Sequence, residues 1–162
     1  MTIAYLCLGS NVGNRAATMA EALTRLAEAG VAVGARSSLY ETPPWGPIPQ
    51  GPYLNQVVQV DSPLAPHALL ELALSVERTL GRDRAREVRF GPRPIDIDIL
   101  LFGTEKVDLP DLEIPHPRLM ERAFALVPLT EIAPDITVSG VRAAEALAGL
   151  DRSGIKKVAP AS

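Results

Sequence analysis

The chain has one cysteine, one tryptophan and two histidines in 162 residues, and each shortage excludes something. With Cys7 alone, no intramolecular disulfide can form, which fits a reducing compartment. Cys7 lies inside an apolar run and reads as a small core residue, not a nucleophile. No Cys/His cluster exists to favour zinc. No apolar run approaches the ~18 residues that a membrane span requires. The N-terminal stretch lacks a basic region and a small-residue cleavage site, so secretion is not expected and a cytoplasmic location is. Aromatic residues make up only 4% and the net charge is −3, which argues against a nucleic-acid-binding surface. The turn Gly9 to Asn14 is not followed by Lys-Ser/Thr, so it is not a phosphate loop of the Walker type. It reads as a strand-to-helix turn with Asn11 or Asn14 as the cap.

What is present fits a single domain over residues 1–162. Ile3 to Leu8 is continuously apolar and reads as a buried strand. A helix follows with Met19, Leu23, Leu26 and Ala27 on one face, ended by Gly30. Val31 to Thr42 reads as a second strand, and the proline-rich run Pro43 to Pro52, which holds Trp45, as a long loop. Leu54 to Val60 is a third strand. Pro63 and Pro66 introduce a second helix whose apolar face is Leu69, Leu72, Ala73, Val76 and Leu80, closed by Gly81. Ile95 to Phe102 is a fourth strand. This β-α-β-β-α-β order predicts an α+β, ferredoxin-like domain, an antiparallel sheet with both helices on one face. Glu105 to Leu109 is expected to pair back on the fourth strand. Beyond Pro110 the chain reads as loops with one short helix at Ala143 to Leu147.

Charge is unevenly placed. Arg82, Arg84, Arg86, Arg89 and Arg93 crowd one segment, offset only by Asp83 and Glu87. In a chain of net charge −3 this marks a local anion site. Three residues after Arg93, Asp96 and Asp98 flank Ile97. In a strand such residues share a face roughly 6.5 Å apart. Two carboxylates so placed repel unless a cation lies between them, and hard oxygen ligands favour magnesium. Alone, an Asp-x-Asp is as well explained by a solvated strand face. Beside five arginines, it supplies metal and guanidinium groups for a polyphosphate.

The segment Phe90-Gly91-Pro92-Arg93-Pro94-Ile95-Asp96-Ile97-Asp98-Ile99-Leu100 closely resembles the signature of the 6-hydroxymethyl-7,8-dihydropterin pyrophosphokinases. Other pieces resemble that family in the right order: Gly9-Ser10-Asn11, Tyr40 to Gly46, Tyr53-Leu54-Asn55, Glu77, Gly81-Arg82, Pro115 to Arg118 and Glu121 to Phe124. The resemblance runs over about residues 2 to 138 and implies transfer of pyrophosphate from ATP to the hydroxymethyl group of a dihydropterin, with release of AMP. By the same resemblance, Asp96 and Asp98 hold two magnesium ions, and Arg82, Arg84 and Arg93 clamp the polyphosphate around the reaction. Glu77, His116 and Arg122 are further nucleotide contacts. Tyr53 and Phe124 sandwich the pterin, with Asn55, Thr42 and the segment Pro43, Pro44, Trp45 and Gly46 completing its site. Leu74 and Asp111 stand where some relatives carry polar and basic nucleotide contacts.

Without the resemblance, core packing is the simpler account of Tyr53 and Phe124, and His116 between two prolines fits a structural loop residue equally well. Two other functions stay open at this level. One is a different magnesium-dependent transferase, which would release pyrophosphate instead of AMP. The other is a non-enzymatic ferredoxin-like binding domain.

Overall fold

The computed structural model describes residues 1–44, 47–83, 85–87 and 91–160. Its central strand is Thr2–Ser10 (β1), whose two faces are both buried: Ala4, Leu6 and Leu8 enter one core and Cys7 the other. Asn14 starts the first helix, Arg15–Glu28 (α1), by accepting the Ala17 N–H on its side-chain oxygen at 3.1 Å. Two strands follow, Ala32–Arg36 (β2) and Leu39–Thr42 (β3), then Tyr53–Ser62 (β4). Pro66, with its φ already helical, opens the second helix, Pro66–Thr79 (α2). The strand Asp96–Phe102 (β5) completes the repeat. The sheet order β3-β4-β1-β5 is antiparallel throughout, with α1 and α2 on one face over the larger core. This is the ferredoxin-like α+β arrangement that the element order predicts.

Three expectations are corrected. The second strand is two strands, because the register on β4 slips between Arg36 and Tyr40. Ser37 and Ser38 occupy the break. Ser37 Oγ accepts the Val57 N–H, and the Glu131 carboxylate accepts both the N–H and the hydroxyl of Ser38. Side-chain oxygens thus replace ladder partners, which period-2 alternation does not reveal. The chain after β5 does not pair back on it. Instead Val107–Leu109 (β6) pairs with Leu112–Ile114 (β7), and Leu112 and Ile114 pack into the core beneath α2.

The third correction is larger. The region expected to be mostly loops holds a buried helix, Ala123–Ile132 (α3). Its run is apolar on nearly every side, so no amphipathic stripe announces it, and Pro128 sits inside it. A mid-helix proline costs ~3 kcal/mol. Leu126 and Leu129 are both fully buried, and at about 1.5–3 kcal/mol each they offset that cost. The chain continues through the small hairpin Thr137–Val138 (β8) and Val141–Arg142 (β9), the helix Ala143–Ala148 (α4) and a last strand, Lys156–Ala159 (β10), which pairs with β3. With α4, α3 covers the sheet face opposite α1 and α2, so the sheet lies between two helical layers. Among the described residues no helix is long and apolar enough to cross a membrane.

Candidate active site

Strand register places three neighbours in a row across the sheet: Asn55 on β4, Gly9 on β1 and Asp96 on β5. The next row on the same face is Val57, Cys7 and Asp98. The expected two-carboxylate face therefore exists, with Ile97 and Ile99 buried on the opposite side. It is not a freely solvated face, because α3 packs over Val57 and Cys7 of the second row, while Asp96 and Asp98 both stay partly exposed. Gly9 is a pocket residue that sequence reading took for a turn. A Cβ there would stand 3.2 Å from Asn55 Oδ1 and 3.5 Å from Tyr53 Cδ1. The missing side chain keeps the space between the amide side and the carboxylate side clear.

One pocket joins the two sides. Thr42, Tyr53, Asn55 and Phe124 line one end, and Arg93, Asp96, Asp98, Arg118 and Arg122 the other, with Cys7 and Gly9 as the floor. Asn55 is buried and donates its amide to Thr42 Oγ1, which leaves its carbonyl oxygen toward the cleft above Gly9. Arg122 spans both ends. Its guanidinium carbon lies 5.5 Å from the Phe124 ring centre, and its Nη1 stands 4.0 Å from Asp98 Oδ2. Pro43 and Pro44 line an adjoining groove that shares Thr42, Arg122 and Phe124 with the pocket. Trp45, Gly46 and Arg84 lie outside the described residues. Arg118 belongs to a motif that assigns it no role, and only the fold puts it in the lining of this pocket.

Among the described residues Arg82 and Glu77 are not in the wall of this pocket; they stand behind it and line a second one with Leu74, Arg78, Asp83 and Ala85. Gly81, in left-handed backbone at φ 102°, ends α2 and turns the chain so that Arg82 points inward. Its Nη1 donates to Glu77 at 3.0 Å and to Asp96 Oδ1 at 2.9 Å, and its Nε and Nη2 grip both oxygens of Glu87. Glu77 also accepts the Ile97 N–H at 2.8 Å, capping the outer edge of β5. In this arrangement Arg82 orients Asp96, and Glu77 anchors Arg82. Glu87, read from sequence only as a charge offset, is the partner that completes the fork.

Asn11 ties three segments together at the pocket mouth. Its side chain accepts the Arg93 N–H at 2.8 Å and donates to Gln50 Oε1 at 2.6 Å, while its own N–H reaches Arg93 O at 3.2 Å. Arg93 is held with its Nη1 3.6 Å from Asp96 Oδ2. His116 stands beside the pocket, its N–H donating to Leu100 O and its Nδ1 accepting the Arg118 N–H at 3.2 Å. Burial, reinforced by Arg122, lowers its pKa to about 4, so it is neutral at pH 7.

Asp98 is raised above the ordinary carboxylate range, first by loss of solvent and then by Asp96. Burial also pushes the Cys7 thiol far up, which keeps it an inert floor residue. A like-charged pair on one strand face, with oxygen donors only, fits a hard divalent cation, whose charge would relieve the repulsion.

Comparison with known proteins agrees with this geometry. Residues 5–134 match the family described as 7,8-dihydro-6-hydroxymethylpterin-pyrophosphokinase. A 2-amino-4-hydroxy-6-hydroxymethyldihydropteridine pyrophosphokinase of Methylorubrum extorquens is 52% identical over 98% of this chain and 99% of its own length. The protein of that name from Bacillus subtilis is 46% identical over 83% of this chain and 80% of its own. Among solved structures, Plasmodium falciparum HPPK-DHPS with pteroate superposes with a TM-score of 0.72 at 16% identity. That likeness speaks to the fold, and it covers 91% of this chain and 42% of the other. With the motif row, the pocket and these relatives together, the chain belongs to the 7,8-dihydro-6-hydroxymethylpterin-pyrophosphokinase family.

Proposed function

We infer that this protein transfers pyrophosphate from ATP to the hydroxymethyl group of 6-hydroxymethyl-7,8-dihydropterin, a step of folate biosynthesis. The observation that carries this reading is the row Asn55–Gly9–Asp96, which sets a flat, amide-edged slot beside a carboxylate and arginine cluster in one pocket. A pterin ring between Tyr53 and Phe124 gains stacking and buried area. The Asn55 carbonyl, left over after its bond to Thr42, accepts from the amino-pyrimidine edge. The 6-hydroxymethyl group then projects over Gly9 toward Asp96.

The other end serves the nucleotide. Arg93, Arg118 and Arg122 supply guanidinium donors for phosphate oxygens, and Arg84 is a further candidate. The hydroxymethyl oxygen bonds to the β-phosphorus and gives up its proton to solvent, the bond from that phosphorus to the α–β bridging oxygen breaks, and AMP departs with that oxygen. Such a transfer needs alignment and charge neutralisation more than a side-chain base. We assign Asp96 and Asp98 as ligands for magnesium, two ions by our reading; when bound, the metal supplies charge neutralisation for the polyphosphate. The lone buried cysteine suits the cytoplasm, where we place the protein. ATP and the pterin are its partners, with no role for nucleic acid or membrane.

Product analysis with magnesium, ATP and the hydroxymethyl dihydropterin tests the assignment. AMP and a pterin diphosphate in equal amounts are expected. Release of inorganic pyrophosphate instead would assign a nucleotidyltransferase.

A further inference from the structure

The segment after α4 returns to the substrate side of the molecule. Lys156 and Lys157 on β10 pair with Glu41 and Tyr40 on β3, the strand that leads into Thr42 and Pro43. Lys157 Nζ also stands 3.9 Å from Glu131 of α3. The loop before β10 is built to press inward. Asp151 Oδ1 accepts the Ser153 N–H at 2.8 Å, and Gly154 turns in left-handed backbone at φ 86°. There a Cβ would lie 3.0 Å from Pro43 Cγ. Leu150, Asp151, Ser153 and Ile155 thereby form one wall of the groove whose other side is Pro43, Pro44 and Phe124. These residues follow the family match, which ends at residue 134.

We propose that this C-terminal turn is a positioning element for the pterin subsite, holding the Thr42–Pro44 strand exit against Phe124 so that the slot between Tyr53 and Phe124 has the width of one ring. The inference rests on the assignment of that slot to the pterin. Three features converge on it: the strand pairing fixes the tail's register on β3, the Asp151 turn sets its height, and the bare Cα of Gly154 allows contact with Pro43. A side chain at Gly154 displaces Pro43 toward the slot, and loss of the Asp151 turn lets it drift away. The nucleotide end, braced by Asn11 and Arg82, is reached by either change only through Arg122, which lines the same groove.

Gly140 provides the control. It has the same left-handed backbone, φ 83°, but a Cβ there meets nothing within 4 Å. Gly154→Ala and Gly140→Ala therefore carry the same backbone strain, and only the first reaches the site. KM for pterin and for ATP, kcat and Tm are measured for both and for Asp151→Ala. Misplacing a binding group by about 1 Å can cost about 100-fold, and a Cβ at Gly154 asks Pro43 to give by a fraction of that, so Gly154→Ala and Asp151→Ala are expected to raise the pterin KM by about threefold to tenfold. Their ATP KM should rise far less than the pterin KM, and Gly140→Ala should leave both constants unchanged. If Gly154→Ala does not fold, Asp151→Ala decides alone. A wild-type pterin KM in the folded variants, or equal losses for pterin and ATP, overturns the proposal. A wild-type protein that makes no pterin diphosphate is recognisable at once as failure of the underlying assignment, and the proposal falls with it.

Discussion

Arg82 Nη1 donates to Asp96 Oδ1 at 2.9 Å from a side chain only 1% exposed. The same guanidinium holds Glu77 and Glu87, so one buried cation sets the direction of an active-site carboxylate and pairs with two more acids. Removing it takes a buried counter-charge away from three acids. Arg82→Ala is therefore expected to destabilise the fold by about 3–5 kcal/mol, read as a lower urea midpoint. Arg93→Ala, whose side chain is partly exposed, should leave the midpoint nearly unchanged and slow single-turnover chemistry instead. Equal midpoints for the two variants would mean that the fork does not brace the fold.

Asp96→Asn and Asp98→Asn should each lower turnover by orders of magnitude while the fold stays intact. Asp98 is already raised by burial and by Asp96, so its neutral replacement relieves repulsion. The Tm of metal-free Asp98→Asn should equal or exceed that of the wild type, a gain in stability at the expense of activity. Wild-type turnover in either variant at limiting magnesium would remove the pair from the metal site.

Tyr53→Ala and Phe124→Ala should each weaken pterin binding by roughly 1–3 kcal/mol, the scale of base–aromatic stacking. Calorimetry should show a much smaller change for an ATP analogue with Tyr53→Ala. Phe124→Ala also removes the ring beneath Arg122, so a modest nucleotide effect is expected there alone. Equal losses for both ligands in Tyr53→Ala would identify the tyrosine as a core residue.

Two groups, His116 and Glu131, should each contribute an acid-labile stage to the stability of the protein. His116 has a folded pKa of about 4 against an ordinary 6.5, so between those values the unfolded chain binds more protons than the native one. The His116 contribution therefore rises with pH through that window and falls on acidification, while the raised Asp98 contributes with the opposite sign. Glu131 is held below its ordinary 4.5, against the effect of burial, by the Ser38 hydroxyl and N–H, by Tyr40 and by Lys157. Its contribution is present above 4.5 and is lost only as pH falls through its lower folded value. Denaturation midpoints against pH should lose the upper stage in His116→Asn and the lower one in Glu131→Gln. An unchanged slope between pH 6.5 and 4 in His116→Asn would contradict the neutral, buried histidine.

Much of this was legible in the sequence because it is local. Alternation of Ile and Asp along β5 puts two carboxylates on one face whatever the rest of the chain does. Asn14 caps α1 through a contact three residues away, and Pro66 and Gly81 bracket α2 by their own backbone preferences. The order of elements then leaves few sheets to choose from, and the motif order named the family. Other features depend on groups far apart in the chain, and no local signal carries them. Gly9 became part of the site because β4 sets Asn55 beside it, and Arg82 became a brace because Glu77, Glu87 and Asp96 converge on it. The helix α3 forms against its own proline because a second core buries it, and the C-terminal turn reaches Pro43 only through pairing with β3. The sequence by itself determined which chemical groups this protein brings to phosphate, metal and pterin. The tertiary structure decided which of them face the pocket and which stand behind it, since burial and long-range pairing are properties of the packed chain.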